Sequence, residues 1–204
     1  MTNHRQIIAI LRGVTTPDVI PICDVLVSAG ISLIEVPLNS PTPFASIEVA
    51  SKALAGRADV GAGTVLTIED AEAVKAAGGV LVVSPDTNED VIRRTRALDM
   101  ASYPGVFTPT DAFRAIRAGA TGLKFFPAEV LGPKGIRAMK AVLPADVPLF
   151  AVGGANPDNF REYFAAGCAG FGLGSYIFKP GMTLGDIAQR AKAAVAAYDE
   201  GKTP

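Results

Sequence analysis

Short apolar, β-branched runs recur along the chain, each closed by Gly, Pro, Ser or Thr and followed by an Ala-rich stretch with helical character. The runs are "IIAILRG", "LIEVPL", "DVGAGTV", "VLVVSP", "ASYPGV", "GLKFFP", "PLFAVGG" and "GFGLGS". Between them lie helix start and stop signals. In "TTPDVIPICDVLVSAG", Thr16 is the expected N-cap, Pro17 takes the first helical position and Gly30 falls just past the end. Pro21 is expected to kink or delay that helix. "NPDNFREYFAAG" repeats the scheme with Asn156, Pro157 and Gly167, and "TIEDAEAVKAAGG" opens on Thr67 with Asp70 in the capping-box position. Eight strand signals alternate with eight helix signals, at the spacing of roughly 20 to 26 residues expected of βα units. The pattern predicts an α/β fold, a closed (β/α)8 TIM barrel in one domain over residues 1–204, with an open doubly wound sheet as its main rival.

Composition narrows the function classes. The chain has 204 residues, 49% of them hydrophobic, and a net charge of −1. This describes a folded core and argues against a disordered tail or a nucleic-acid-binding surface. No apolar run approaches the roughly 18 residues needed to span a bilayer, so no membrane partner is expected. "MTNHRQIIAILRG" lacks the long apolar core and small-residue cleavage site of a secretory signal. With only Cys23 and Cys168 present, unpaired core thiols in a reducing cytoplasm are expected. The single histidine, His4, argues against a metal site or a histidine-based triad.

In a barrel the chemistry sits at the C-terminal strand ends and the loops that follow. Arg12 ends the first strand, Glu35 lies in the second, Thr64 ends the third, Lys124 lies in the sixth and Ser175 follows the eighth. Two loops supply bare backbone: "VGGANP" with Gly153 and Gly154, and "GLGS" with Gly174. They follow the seventh and eighth strands, where barrels often hold a phosphate, although such glycines also serve as tight turns. Strand alternation sends Leu123 and Phe125 to one face and Lys124 with Phe126 to the other. Lys124 is then either a desolvated amine able to attack a carbonyl, or a lysine that snorkels or pairs with a barrel carboxylate. Glu35 is either that partner or a proton shuttle raised by burial. Arg12 suits bidentate capture of a carboxylate or a structural ion pair, and Thr64 either binds substrate or merely ends a strand.

The motifs "AILRG", "IEVPLNSP", "GAGTVL", "GLKFFP", "FAVGGANPDNF" and "GCAGFGLGS", in that order, resemble the class I 2-keto-3-deoxy-6-phosphogluconate/galactonate aldolase family over nearly the whole chain. "EVPLNSP" is similar to the galactonate branch, since the gluconate branch carries an arginine where this chain has Asn39. The resemblance implies a trimeric barrel that needs no cofactor. It would cleave a six-carbon keto-acid phosphate into pyruvate and D-glyceraldehyde 3-phosphate. It also implies roles: Lys124 as Schiff-base lysine, Glu35 as acid/base, Arg12 and Thr64 as substrate contacts, and Gly153, Gly154, Gly174 and Ser175 as phosphate cradle. "PAEVLGP" after the lysine strand departs from the family pattern, which bears on substrate choice. The competing enzyme readings are a gluconate-type or dual-epimer aldolase and a phosphate-binding isomerase or epimerase. A non-catalytic sugar-phosphate binder is the remaining alternative.

Overall fold

The computed structural model describes residues 4–202. Strands β1 (Ile7–Ile10), β2 (Leu33–Pro37), β3 (Asp59–Gly63), β4 (Leu81–Val83) and β5 (Ala101–Tyr103) alternate with helices α1 (Thr16–Ala29), α2 (Pro43–Ala53), α3 (Ile68–Ala76) and α4 (Glu89–Ala97). The second half runs β6 (Gly105–Val106), α5 (Pro109–Arg117), β7 (Leu123–Phe125), α6 (Ala128–Lys140), β8 (Leu149–Val152), a 3-10 turn at Pro157–Asn159, α7 (Phe160–Ala165), β9 (Gly170–Leu173) and α8 (Leu184–Lys202).

All strand pairs are parallel, in the order β5-β4-β3-β2-β1-β9-β8-β7-β6. The two ends of that order are successive in the chain, joined through Pro104. Across this seam Thr121 N donates to Ser102 O (2.8 Å) and Lys124 N to Pro104 O (3.0 Å). The sheet is therefore a (β/α)8 barrel whose fifth strand is in two pieces. The expected single strand "ASYPGV" breaks because proline has no N–H to carry the ladder across, and Gly105 N turns to Asp86 O instead (3.1 Å).

Alternation along the strands builds two cores. Ile7, Ala9, Leu11, Ile34, Val36, Leu123 and Phe125 face outward and pack with the helices. Ile8, Ile10, Leu33, Leu81, Val83, Tyr103, Phe150 and Val152 fill the interior. Tyr103 meets Phe150 edge-on inside, with ring centroids 5.2 Å apart. Each fully buried aliphatic or aromatic side chain contributes roughly 1.5–3 kcal/mol.

The helix signals hold with three adjustments. The first helix takes Thr15 as N-cap, one residue earlier than expected, while Gly30 closes it in the left-handed region at φ 99. Pro21 lies within the continuous α1. It removes only the bond to Pro17 O near the helix start, and both prolines are exposed, so water can satisfy that carbonyl. At α3 the Thr67 hydroxyl accepts from Asp70 N (3.1 Å), but the Asp70 carboxylate reaches Leu66 N (3.4 Å), which leaves the capping box half-formed. Asn156 caps the turn before α7 as expected, Asn159 Oδ1 reciprocates by accepting from Asn156 N (3.1 Å), and Gly167 follows α7 at φ 98.

Candidate active site

Glu35 and Lys124 lie inside the barrel, 2% and 7% exposed. Their registry explains the placement: Glu35 pairs with Ile10 and Gly61, and Lys124 pairs with Gly105 and Phe150. Among the described residues no ion pair joins the two, and Glu35 Oε2 has no hydrogen-bond partner. The two groups thus make no direct contact, although each charge acts on the other through space. Lys124 Nζ instead sits 4.7 Å from the centroid of the Phe126 ring. Space for the Glu35 carboxylate comes from Gly63, because a Cβ there would overlap both carboxylate oxygens.

Burial dominates the electrostatics. Desolvation pushes the Glu35 carboxyl up to about 7, opposed by the charges of Lys124 and Arg12. It also lowers Lys124, and the Arg12 guanidinium adds to that effect, while Glu35 and Asp86 oppose it. Near neutral pH the interior thus offers a carboxyl close to its titration point, beside an amine that gives up its proton more readily than an ordinary lysine.

Above this pair, at the C-terminal strand ends, opens a cavity of about 650 Å³. Its lining includes Arg12, Phe126, Gly153, Gly154, Gly174 and Ser175. Glu35, Thr64 and Lys124 are not part of that lining; Phe126 links the cavity to Lys124 Nζ, and Arg12 links it to Thr64. Gly153 and Gly154 adopt φ 93 and 73, a region that favours glycine. Their turn is fixed by Asn156 Nδ2 (3.1 Å) and Asn159 Nδ2 (2.9 Å), both donating to Gly154 O. Beside Gly174 a Cβ would meet no atom within 4 Å, so the backbone there borders open space.

Several residues at the site carry no sequence signal that assigns them there. Asn39 Oδ1 accepts from Arg12 Nη1, and both Arg12 Nη atoms lie 3.5 Å from Thr64 Oγ1. Asn156, Asp158, Tyr176, Phe178 and Lys179 also line the cavity. Asn39 was visible in "EVPLNSP" and Asn156 as a helix cap, but neither signal specified a contact. No group of three or more His, Cys, Asp or Glu side chains is placed to hold a metal among the described residues.

A (β/α)8 barrel that buries an amine and a carboxyl beneath a glycine-lined cavity is the architecture of an enzyme whose chemistry lies inside the strand ends. The model of the KDPG and KHG aldolase family matches residues 1–192, and this chain belongs to that family. It is an aldolase, a carbon–carbon lyase. A relative from Rhizobium meliloti (strain 1021), named "Probable 2-dehydro-3-deoxy-6-phosphogalactonate aldolase", is 51% identical over 96% of this chain and 92% of its own length. A solved native KDPGal structure superposes with a TM-score of 0.94 at 44% identity, covering 96% of this chain and 95% of that one. A KDPG aldolase from Legionella pneumophila, with pyruvate captured at low pH as a covalent carbinolamine intermediate, gives a TM-score of 0.83 at 26% identity, over 93% and 94% of the two chains.

Proposed function

We propose that the whole chain, residues 1–204, is a class I 2-dehydro-3-deoxy-6-phosphogalactonate aldolase. It releases pyruvate and D-glyceraldehyde 3-phosphate, with Lys124 as the Schiff-base nucleophile. The observation that carries this reading is the desolvated Lys124, held beside a carboxyl with which it forms no ion pair. The naming of the Rhizobium meliloti relative and the native KDPGal structure support the substrate. The carbinolamine captured in the Legionella pneumophila enzyme supports the covalent route.

The chemistry follows from the two buried groups. The Lys124 lone pair attacks the C2 ketone to give a carbinolamine, and loss of water gives an iminium. Glu35, as carboxylate, accepts the C4 hydroxyl proton through a bound water. The C4–O electrons form the aldehyde, the C3–C4 bond breaks, and its electrons neutralise the iminium as an enamine. Glyceraldehyde 3-phosphate leaves, C3 is reprotonated, and water releases pyruvate from Lys124. Arg12 and Thr64 receive the C1 carboxylate; Gly153, Gly154, Gly174 and Ser175 receive the phosphate. The cavity volume of about 650 Å³ lies within the range of small-ligand sites.

A homotrimer in the cytoplasm completes the reading. Leu66 and Phe107 on the loops after β3 and β6, and Ile68 at the start of α3, remain exposed as apolar surface that a partner copy would cover. Cys23 and Cys168 are free, buried thiols, as suits a reducing compartment. No helix among the described residues is long and apolar enough to cross a membrane.

The test is turnover on both C4 epimers, read as pyruvate release. Preferential cleavage of the galactonate epimer is expected. Preference for the gluconate epimer would reassign the substrate, and absence of cleavage of either would remove the aldolase assignment for this chain's site.

A further inference from the structure

Arg12 has an arrangement around it that the proposed chemistry does not by itself require. Its Nη1 donates to Asn39 Oδ1, and both Nη atoms lie at 3.5 Å from Thr64 Oγ1. An exposed arginine carries considerable rotamer entropy, so holding its guanidinium in one orientation needs fixed partners. Both partners here are fixed. The next residue, Gly13, donates its N–H to Ser40 Oγ at 2.9 Å, and Ser40 N donates to Pro37 O at 2.9 Å. Leu38 N donates to Gly63 O at 2.8 Å, which ties the same turn to β3. The turns after β1 and β2 are thus joined at successive residues, 12 to 39 and 13 to 40. Thr64, on the third side, sits at φ 59, a left-handed conformation that a β-branched residue rarely adopts. Strain of that kind persists where the surroundings over-determine it, as at ligand clamps.

We propose that Asn39 is a positioning residue: with Thr64 it orients the Arg12 guanidinium to receive the carboxylate of a 2-keto acid. This rests on the aldolase reading above and goes beyond it, because Asn39 acts through Arg12. A neutral acceptor suits the task. An amide oxygen fixes one edge of the guanidinium without neutralising it, whereas a carboxylate in the same place would compete with the substrate.

The experiment measures how imine formation depends on pyruvate concentration, by borohydride trapping on the intact protein, for wild type, Asn39→Ala, Asn39→Asp, Arg12→Ala and Arg12→Ala/Asn39→Ala. Near-ultraviolet circular dichroism and thermal melts verify that each variant is folded. Asn39→Ala is expected to raise the half-saturating pyruvate concentration about tenfold, the scale of one charge-assisted hydrogen bond. The trapping rate at saturation should stay near that of wild type. Asn39→Asp should raise the half-saturating concentration further. In the Arg12→Ala background, Asn39→Ala should add nothing. Wild-type affinity in Asn39→Ala overturns the proposal, as does an Asn39→Ala effect that persists in full without Arg12. A wild-type protein that traps no pyruvate at any concentration overturns both this proposal and the aldolase reading.

Discussion

Replacing Glu35 by glutamine preserves the side chain's size and removes a charge that burial disfavours. In the folded barrel desolvation lifts this carboxyl from 4.5 to about 7, net of the opposing charges of Lys124 and Arg12. That rise corresponds to about 3 kcal/mol between the two protonation states. Between those two values the folded protein keeps a proton that the unfolded chain has lost. The group's stabilising contribution is therefore complete below 4.5, falls as pH rises through the window, and is gone above about 7. Glutamine has no such window. The stability of Glu35→Gln relative to wild type should grow by up to about 3 kcal/mol between about pH 5 and about pH 8. Urea unfolding of both proteins at the two pH values measures it, provided the denaturant slopes match. A difference that stays constant with pH, or shrinks as pH rises, would refute the electrostatic reading of this carboxyl. The same variant should lose roughly 100- to 10,000-fold in turnover, since its amide accepts no proton from the C4 hydroxyl.

Two further perturbations follow from the same geometry. Arg12 lowers the Glu35 carboxyl in the ligand-free protein, so Arg12→Met should move the acid-side limb of the kcat/KM–pH profile to higher pH; an unmoved limb would mean that Glu35 is not the group titrating there. In Gly63→Ala the new methyl overlaps the Glu35 carboxylate, and either the carboxylate or β3 must move. Turnover should fall at least about tenfold, with destabilisation of roughly 1–3 kcal/mol in thermal or urea unfolding. A fully active Gly63→Ala would place the carboxylate elsewhere.

Much of the barrel was legible because its cores follow a period of two. Leu123 and Phe125 pack outward while Lys124 turns inward, as their alternation required. Glu35 shares the inward parity of Leu33 for the same reason. Helix boundaries were readable where chemistry is local, at Gly30 and at the Asn156 cap. What escaped depends on neighbours far along the chain. Pro104 divides the fifth strand at the point where its partners change from β4 to β7. Pro21 is harmless because its position leaves the affected carbonyl exposed to water. The Arg12–Asn39 contact joins residues 27 positions apart, and no local signal in "AILRG" or "EVPLNSP" orients one toward the other. Gly63 carries no distinguishing signal in "DVGAGTV", although its lack of a side chain is what admits the Glu35 carboxylate.

The central claim is that Lys124 is the amine that forms the bond to substrate. Borohydride reduction in the presence of pyruvate, followed by intact mass and peptide mapping, tests it directly. One reduced pyruvate adduct per chain is expected, mapped to Lys124 and absent from a folded Lys124→Met variant. A folded wild-type protein that gains no mass, or an adduct mapped to another lysine, would contradict it.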